Sequence, residues 1–483
     1  MRHKLAAGLL LSAIVSLPAQ AAITLFARGV LSGTSDRSGL SGTLENGLAA
    51  NILGGMGSGL TYAGGNTFLA VPDRGPNATP YNSAVDDTVS YISRFHTLSL
   101  ELTANGSPGL PFTLTPTLQK TTLLSSNTPL AYGSGAGLGT QKNGQPMGSG
   151  APAQNSAGKY YFSGRSDNFA PGSSGNPANG RLDPESIRVS NDGKSVFISD
   201  EYGPYVRQFD RQTGTLVKTF ALPANLDVSI LSPKGKTETS SNTSGRTDNK
   251  GMEGLAITPD GKTLVGIMQA SLIQDAAVKA TKKMVRIVTI DIATGVTKEY
   301  GYMLTVGSGV SEITAINDHE FLVDERDGAG LGDAPGSVAV AKQFFKIDIS
   351  GAVDITNMSG AAAAAAAVGK APFLDLVAAL NANGISSDQI PAKIEGITFG
   401  QDVTYGGDLY HTLFVSNDND FVPDAAGPNQ FFVFGFKDGD LPGLVQQRIA
   451  AVPESATWAM MIMGFGLVGG VLRTRRSATV SFS

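Results

Sequence analysis

Four glutamates open short runs of alternating apolar residues: Glu185 before Ile187 and Val189, Glu253 before Leu255 and Ile257, Glu312 in Ser311-Glu312-Ile313-Thr314, and Glu395 before Ile397 and Phe399. After three of them a second apolar run ends in further acids, Asp200-Glu201, Asp324-Glu325 and Asp418, and a related stretch without a leading Glu ends in Asp73. So many carboxylates at close quarters repel unless they are protonated or neutralised, which points to a bound cation or a cationic ligand. The donors are oxygens, the chain has no Cys and only four His, and this chemistry favours Ca²⁺, then Mg²⁺, over zinc. A glutamate can also simply brace neighbouring repeats by accepting hydrogen bonds from backbone amides. Four in register favour a site.

The element that must position each acid is clearest in Gly251-Met-Glu-Gly-Leu-Ala-Ile-Thr-Pro-Asp-Gly-Lys-Thr-Leu-Val-Gly-Ile-Met-Gln-Ala270. Glu253 opens the alternation, Asp260-Gly261 tolerates positive φ, and Leu264 to Met268 reads as the returning strand, so the stretch predicts a β-hairpin with an acid at one end. Related copies start near Ser58, Asp183, Ser311 and Lys393, and the Asp183 copy and Gly251–Ala270 itself are followed by outer hairpins turning at Thr213-Gly214 and Thr294-Gly295. Four-stranded units recurring at about 60 to 80 residues predict an all-β fold, a β-propeller of five to seven blades with six favoured, spanning residues 23–445. The first residue of one antiparallel strand and the last of the next lie at one edge. Glu185, Glu253, Glu312 and Glu395, with Asp73, Asp200, Glu201, Asp324, Glu325 and Asp418, are therefore expected to ring one mouth of the channel. Gly251–Ala270 is the expected imperfect sector, since it ends in Met268-Gln269.

Other segments read as additions to the repeats. Gly133 to Gly180, dense in Gly, Ser, Asn and Pro, is expected as a long surface loop that could hide a blade. Within it Arg165 could face an anionic ligand and Asp167 a metal, or the two could pin the loop locally. The glycines from Gly133 to Gly137 fail the spacing of a phosphate-binding loop. Ala361–Ala367 and Phe373–Leu380 form the one expected helical insertion, packed outside the sheets. Phe431 to Phe436 is expected to close the ring with strands near Ile23 to Gly29.

Both ends are processing segments. Arg2 and Lys4, the apolar run Leu5 to Leu17 and Ala19-Gln20-Ala21 predict a secretory signal peptide over residues 1–22. Residues 452–476 contain Pro453-Glu454-Ser455, an apolar run from Ala456 to Leu472 of marginal length for one membrane span, and Arg473, Arg475 and Arg476. The arrangement resembles the PEP-CTERM sorting signal of exported Gram-negative proteins, which implies transient residence in the inner membrane and an exosortase-type protease as partner. Ser455 stands where that motif has its second proline. The alternative is a simple C-terminal anchor held by positive charge on the cytoplasmic side. Without these ends, 31 basic and 40 acidic residues leave a net charge of −9, which argues against nucleic acid as a partner. The absence of Cys excludes disulfides and thiol nucleophiles.

Asp183-Pro-Glu-Ser-Ile-Arg-Val with Ser199-Asp-Glu-Tyr-Gly, Gly251-Met-Glu-Gly-Leu-Ala with Pro259-Asp-Gly-Lys, Ser311-Glu-Ile-Thr-Ala with Asp324-Glu-Arg-Asp, and Ile394-Glu-Gly-Ile-Thr together resemble the phytase-like family, described by the esterase-like activity of phytase. The resemblance spans roughly Ala22 to Asp440. It implies a propeller and, through the alkaline propeller phytases, calcium-dependent hydrolysis of phosphomonoesters. In that chemistry cations near the acids would steady an anionic small-molecule substrate, and Arg74, Lys250, Arg326 and Arg207 are the candidates, each of which could instead pair with the adjacent acids. No Gly-x-Ser-x-Gly elbow occurs and no His has an identifiable Ser partner, so a serine esterase is not expected. Two function classes fit: a metal-dependent hydrolase of phosphate esters, or less readily of a lactone, and a non-catalytic surface or matrix propeller that binds polysaccharide or protein.

Overall fold

Alternating apolar residues around Gly turns fold as hairpins here because Gly193 and Gly261 take φ of 71° and 74° at the tight turns, a conformation that costs glycine nothing. The outer hairpins close similarly: Asp210 and Asp291 accept hydrogen bonds from the amides of Thr213 (2.8 Å) and Thr294 (2.7 Å), just before Gly214 and Gly295. The computed structural model describes residues 23–77, 88–106, 109–133, 148–167, 169–232 and 234–450. The signal peptide expected over 1–22 and the tail expected over 452–476 lie outside the described residues. No helix among the described residues is long and apolar enough to cross a membrane.

Five antiparallel blades form, not the favoured six. From innermost to outermost strand, blade 1 is Gly59–Tyr62, Thr67–Val71, Arg94–Ala104 and Phe112–Leu123. Blade 2 is Pro184–Val189, Ser195–Asp200, Tyr205–Asp210 and Leu216–Ala221; blade 3 is Met252–Ile257, Thr263–Met268, Met284–Asp291 and Thr297–Met303. Blade 4 is Gly309–Ala315, Glu320–Arg326, Lys342–Asp348 and Lys370–Asp375. Blade 5 takes Ile394–Phe399, Asp408–Asn417 and Asn429–Phe436 from the C-terminal part and its outermost strand, Thr24–Leu31, from the N-terminal part. That last pairing closes the ring as expected. Apolar side chains from both faces of every blade interlock with the next, giving five buried layers, such as Leu69, Phe95, Ile187 and Phe209 between blades 1 and 2.

Among the described residues no sixth blade forms, because the described part of the segment before blade 2 packs against blades 1 and 2. Among its described residues Ser125–Ser126 pairs with Tyr160–Tyr161, single bridges join Ser163 to Ile92 and Arg181 and Ala131 to Asn179, and Phe162, Arg165 and Asp167 are fully buried. The stretch from Ala153 to Lys159 is largely exposed, as expected of a surface loop, whereas Phe162 to Asp167 is buried and pinned by the Arg165–Asp167 pair (2.7 Å). The expected helical insertion is also divided. Helix Gly360–Ala365 and helix Leu376–Ala382 flank Lys370–Asp375, which became the outer strand of blade 4 because its apolar Phe373 and Leu374 cover the core between blades 4 and 5.

The innermost strands approach so closely that side chains must vanish between them. A Cβ on Gly59 would lie 2.7 Å from Ser186 Cα, and one on Gly254 2.7 Å from the Ile313 nitrogen. At the centre of this neck sits one ion pair, Arg188 with Glu312 (3.1 Å). The Arg188 guanidinium donates to the carbonyls of Leu60 and Ile187 (both 2.7 Å), Ile313 (3.0 Å) and Ile397 (3.4 Å). Glu312 accepts from Ser186 Oγ and from the amides of Leu255 (2.9 Å) and Ile313 (3.0 Å). Together they touch the innermost strand of every blade, so they lie on the axis and plug the channel. Below the plug, Leu441 to Ala450 straps the far end: Val445 N donates to Ile316 O (2.8 Å), Gln446 Nε2 to Gly400 O (3.0 Å) and Gln447 Nε2 to Val189 O (2.7 Å). The channel is a cup open at one end.

Removing one partner of a buried pair strands the other charge, which costs about 3–5 kcal/mol. Arg188→Leu should lower unfolding stability by about that amount in urea titration, and adding Glu312→Leu should restore part of it. A double variant weaker than the single one would show that the pair is not coupled.

Candidate functional site

Register decides which acids reach the open mouth. The pairs Leu60↔Ala70, Ile187↔Ile198, Leu255↔Gly266, Ile313↔Val323 and Ile397↔Val415 align the five hairpins. Bulges just before these positions in blades 2 to 5 turn the opening side chain toward the mouth. In this frame the opening positions are Ser58, Glu185, Glu253, Ser311 and Glu395, and the closing ones Asp73, Glu201, Gln269, Arg326 and Asp418. Side chains alternate with period two, so residues two further out share the face. That adds Asp183, Lys393 and Asp420, which the sequence reading passed over although their spacing of two from Glu185, Glu395 and Asp418 marked them.

Three expected ligands, Asp200, Glu312 and Glu325, fall one residue out of this frame, and a one-residue slip flips a side chain to the other face. Glu312 points into the neck. Asp200 and Arg207 form a buried pair (3.7 Å), with the guanidinium between Phe162 and Tyr205, so neither reaches the mouth. Burial pushes Asp200 up to about 6. Glu325 accepts from Tyr302 Oη (2.9 Å), the amides of Thr305, Val306 (2.6 Å) and Gly307 (3.1 Å), and Lys370. Burial raises its pKa, but Lys370 and these amides outweigh burial and hold it below its usual value. Asp324 keeps the face of Arg326 but lies two residues further in, where it is fully buried with neither oxygen hydrogen-bonded, and burial raises its carboxyl well above the usual range. The imperfect sector is therefore blade 4, which contributes Ser311 and Arg326 and no carboxylate, while blade 3 still supplies Glu253.

Eight carboxylates share the cup: Asp73, Asp183, Glu185, Glu201, Glu253, Glu395, Asp418 and Asp420, all buried except the half-buried Asp420. Three cations stand among them. Arg326 donates to Glu395 (2.5 Å), lies 3.8 Å from Glu253, and is held by Ser311. Lys393 bridges Asp418 (3.0 Å) and Asp420. Arg74 binds Asp183 (3.1 Å), Thr88 (2.7 Å) and Asn249. Lys250 stands on the rim, its amine on Gln269 Oε1 (2.9 Å), and Gln269 in turn donates to Glu253 (2.6 Å). Asn249 and Asp420, two of the three described non-glycine residues with positive φ, both bring side chains here, and such strain is stored at functional sites. A cavity of about 260 Å³ opens beside Arg74, walled by Phe169, Tyr202, Arg246 and Asp248.

Negative charge exceeds positive, and burial sharpens the imbalance. Burial, then the Asp418 charge, pushes Asp73 well up; burial, then Glu253 and Asp183, does so for Glu185; burial, then Glu201 and Glu395, for Glu253. Burial pushes Asp183 and Asp418 up to about 7. Two trios bring ligand oxygens within 4.8 Å of one another: Asp73, Asp418 and Asp420, and Asp183, Glu185 and Glu201. These hard oxygen donors fit Ca²⁺. The three described histidines are engaged elsewhere, His96 with Thr121, His319 with Asp348, and His411 with Asp402 and Asp438.

A family model described as phytase-like, esterase-like activity of phytase, matches residues 51–421. An "Uncharacterized secreted protein" of Arthroderma benhamiae is 31% identical over 329 residues, covering 57% of this chain and 60% of that protein, so the match spans less than two thirds of the relative's length. Among solved structures, hydrazine synthase of Kuenenia stuttgartiensis is similar at 12% identity with a TM-score of 0.29, covering 81% of both chains. The Cps50 (Swd1) β-propeller domain of Myceliophteria thermophila is similar at 12% identity and a TM-score of 0.23, covering 48% of this chain and 51% of that one.

Carboxyls with raised pKa bind protons more tightly folded than unfolded, so stability falls as pH rises from their unfolded values near 4 through about 7. In chelator the thermal midpoint should drop by roughly 5 °C or more between about pH 5.5 and about pH 8. Excess calcium should remove most of that drop. Calorimetry giving a midpoint in chelator that rises with pH would contradict this electrostatic picture.

Proposed function

The chain belongs to the phytase-like family, and on that premise we propose that it is an exported hydrolase of phosphate esters that works with calcium held in the carboxylate-ringed mouth. The observation that carries this reading is the buried excess of carboxylates over cations in a cup closed at its far end. Calcium bound there would supply charge neutralisation for a phosphoryl group and an acidified water.

The protein's own groups handle orientation and exclusion. Arg326 occupies a ring position taken by an acid in blades 1, 2 and 5, so its guanidinium presents donors to an anion among the acids. Arg74 lies between Asp183 and the adjoining cavity, where it would hold a second edge of the phosphate while the leaving group rests against Phe169 and Tyr202. Lys250 adds positive charge on the rim. The Arg188–Glu312 plug and the strap close the floor to water.

Export is supported by the leader-like residues 1–22 and by the secreted relative. The tail over 452–476 fits inner-membrane passage and exosortase-type processing, leaving the propeller at the cell surface, in the matrix or free.

The test is phosphate release from p-nitrophenyl phosphate and from phytate by the full chain in mild detergent, with calcium and with chelator. Turnover should require calcium, and Arg326→Ala should lower kcat/KM by about 100-fold. No turnover in any condition would leave the propeller as a non-catalytic binder of polysaccharide or protein.

A further inference from the structure

The mouth's two carboxylate trios differ in how they are neutralised. Lys393 touches two of the three acids in one, Asp418 and Asp420, while Asp73 accepts from the Gly75 amide (2.9 Å). In the other, Arg74 is committed to Asp183, through its guanidinium and its own backbone amide (2.9 Å). It lies 4.0 Å from Glu201, too far for a hydrogen bond. Glu201 spends one oxygen on the Gly251 amide (3.0 Å), and its other oxygen meets no donor although the residue is only 2% exposed. A buried carboxylate oxygen without a partner is costly. Among the described residues no cation forms an ion pair with Glu185, and its carboxylate lies with those of Asp183 and Glu201.

We propose that Asp183, Glu185 and Glu201 form the seat of a single divalent, oxygen-coordinated cation, and that Lys393 occupies the place a second ion would take between Asp73, Asp418 and Asp420. This rests on the calcium half of the proposed function and is independent of the hydrolysis. The ligand oxygens all lie within 4.8 Å of one another, the span of donors on opposite sides of Ca²⁺ at about 2.4 Å each. The ion would supply the partner that Glu201 lacks and neutralise Glu185, which no cation pairs among the described residues. Blades 1 and 5, closed by Lys393, and blade 4, closed by Arg326, would then need no metal.

Calorimetric titration of the chelator-treated full chain with calcium chloride alone tests it. One ion should bind per chain. Glu201→Gln should weaken binding on the order of 100-fold, and Lys393→Met should raise the stoichiometry from one to two. Glu201→Gln should also unfold in chelator no earlier than the parent, because it removes repulsion; Lys393→Gln serves if the methionine variant does not fold. Two ions on the parent, binding untouched by Glu201→Gln, or a stoichiometry unchanged by both Lys393 variants would overturn the assignment. One calcium bound without ester turnover would leave this site standing and remove the hydrolase reading, whereas turnover without calcium binding would do the reverse.

Discussion

The ion pair on the propeller axis is the constraint from which the rest follows. Five innermost strands meet at a neck made narrow by Gly59, Ser186, Gly254 and Gly396, and Glu312 enters at that level to meet Arg188. Such a neck leaves backbone carbonyls and amides facing a space too small for bulk water. Arg188 and Glu312 satisfy them with donors and acceptors reaching all five blades. Burial pushes Glu312 up to about 7 and lowers Arg188, so each relies on the other to stay charged. A plug satisfied on every side specifies the ring more than it stabilises it. It also converts a channel into a cup.

Above the plug, the cup is an electrostatic balance drawn from all five blades. Blade 4 contributes a cation and no acid to the ring, blade 1 sends Arg74 to Asp183 of blade 2, and blade 5 holds acid and base together through Lys393, Asp418 and Asp420. The asymmetry matters because identical blades would give an evenly repelling ring with no preferred place for a ligand. Replacing an acid by Arg326 in one sector and leaving Glu201 half-bonded in another creates a direction across the mouth, from anion-attracting to cation-attracting. The strained backbones of Asn249 and Asp420 lie at those contacts.

Much of the fold was legible because it depends on local pattern. Alternation around Asp-Gly and Asn-Asp-Gly turns marked the hairpins, and the Asp210…Thr213-Gly214 and Asp291…Thr294-Gly295 turns marked the outer pairs. The closure of Asn429–Phe436 by Thr24–Leu31 followed from the need to leave no exposed edge. Blade number was not legible, since it depends on whether Gly133 to Gly180 forms strands or packs as irregular chain. Phe373 and Leu374 were read as helix because their spacing also fits one, and the core between blades 4 and 5 made them strand.

From the residues alone came the kind of protein and the kind of site: repeated hairpins each bearing an acid at one end, too many carboxylates for the cations near them, and no thiol chemistry. Local propensity and composition are properties of neighbours in the chain, so they can be read there. Which acids meet was decided by tertiary structure. A bulge in the innermost strand of blades 2 to 5 and a shift of one residue in blade 4 send Glu185, Glu253 and Glu395 to the mouth but Glu312 to the axis. The same frame turns Asp200 and Glu325 into the blades, leaves Asp324 buried below Arg326, and brings in Asp183, Lys393 and Asp420. The physical reason is the two-residue period of a strand: one position of register reverses the face of a side chain, and register is set by partners that lie far away in sequence.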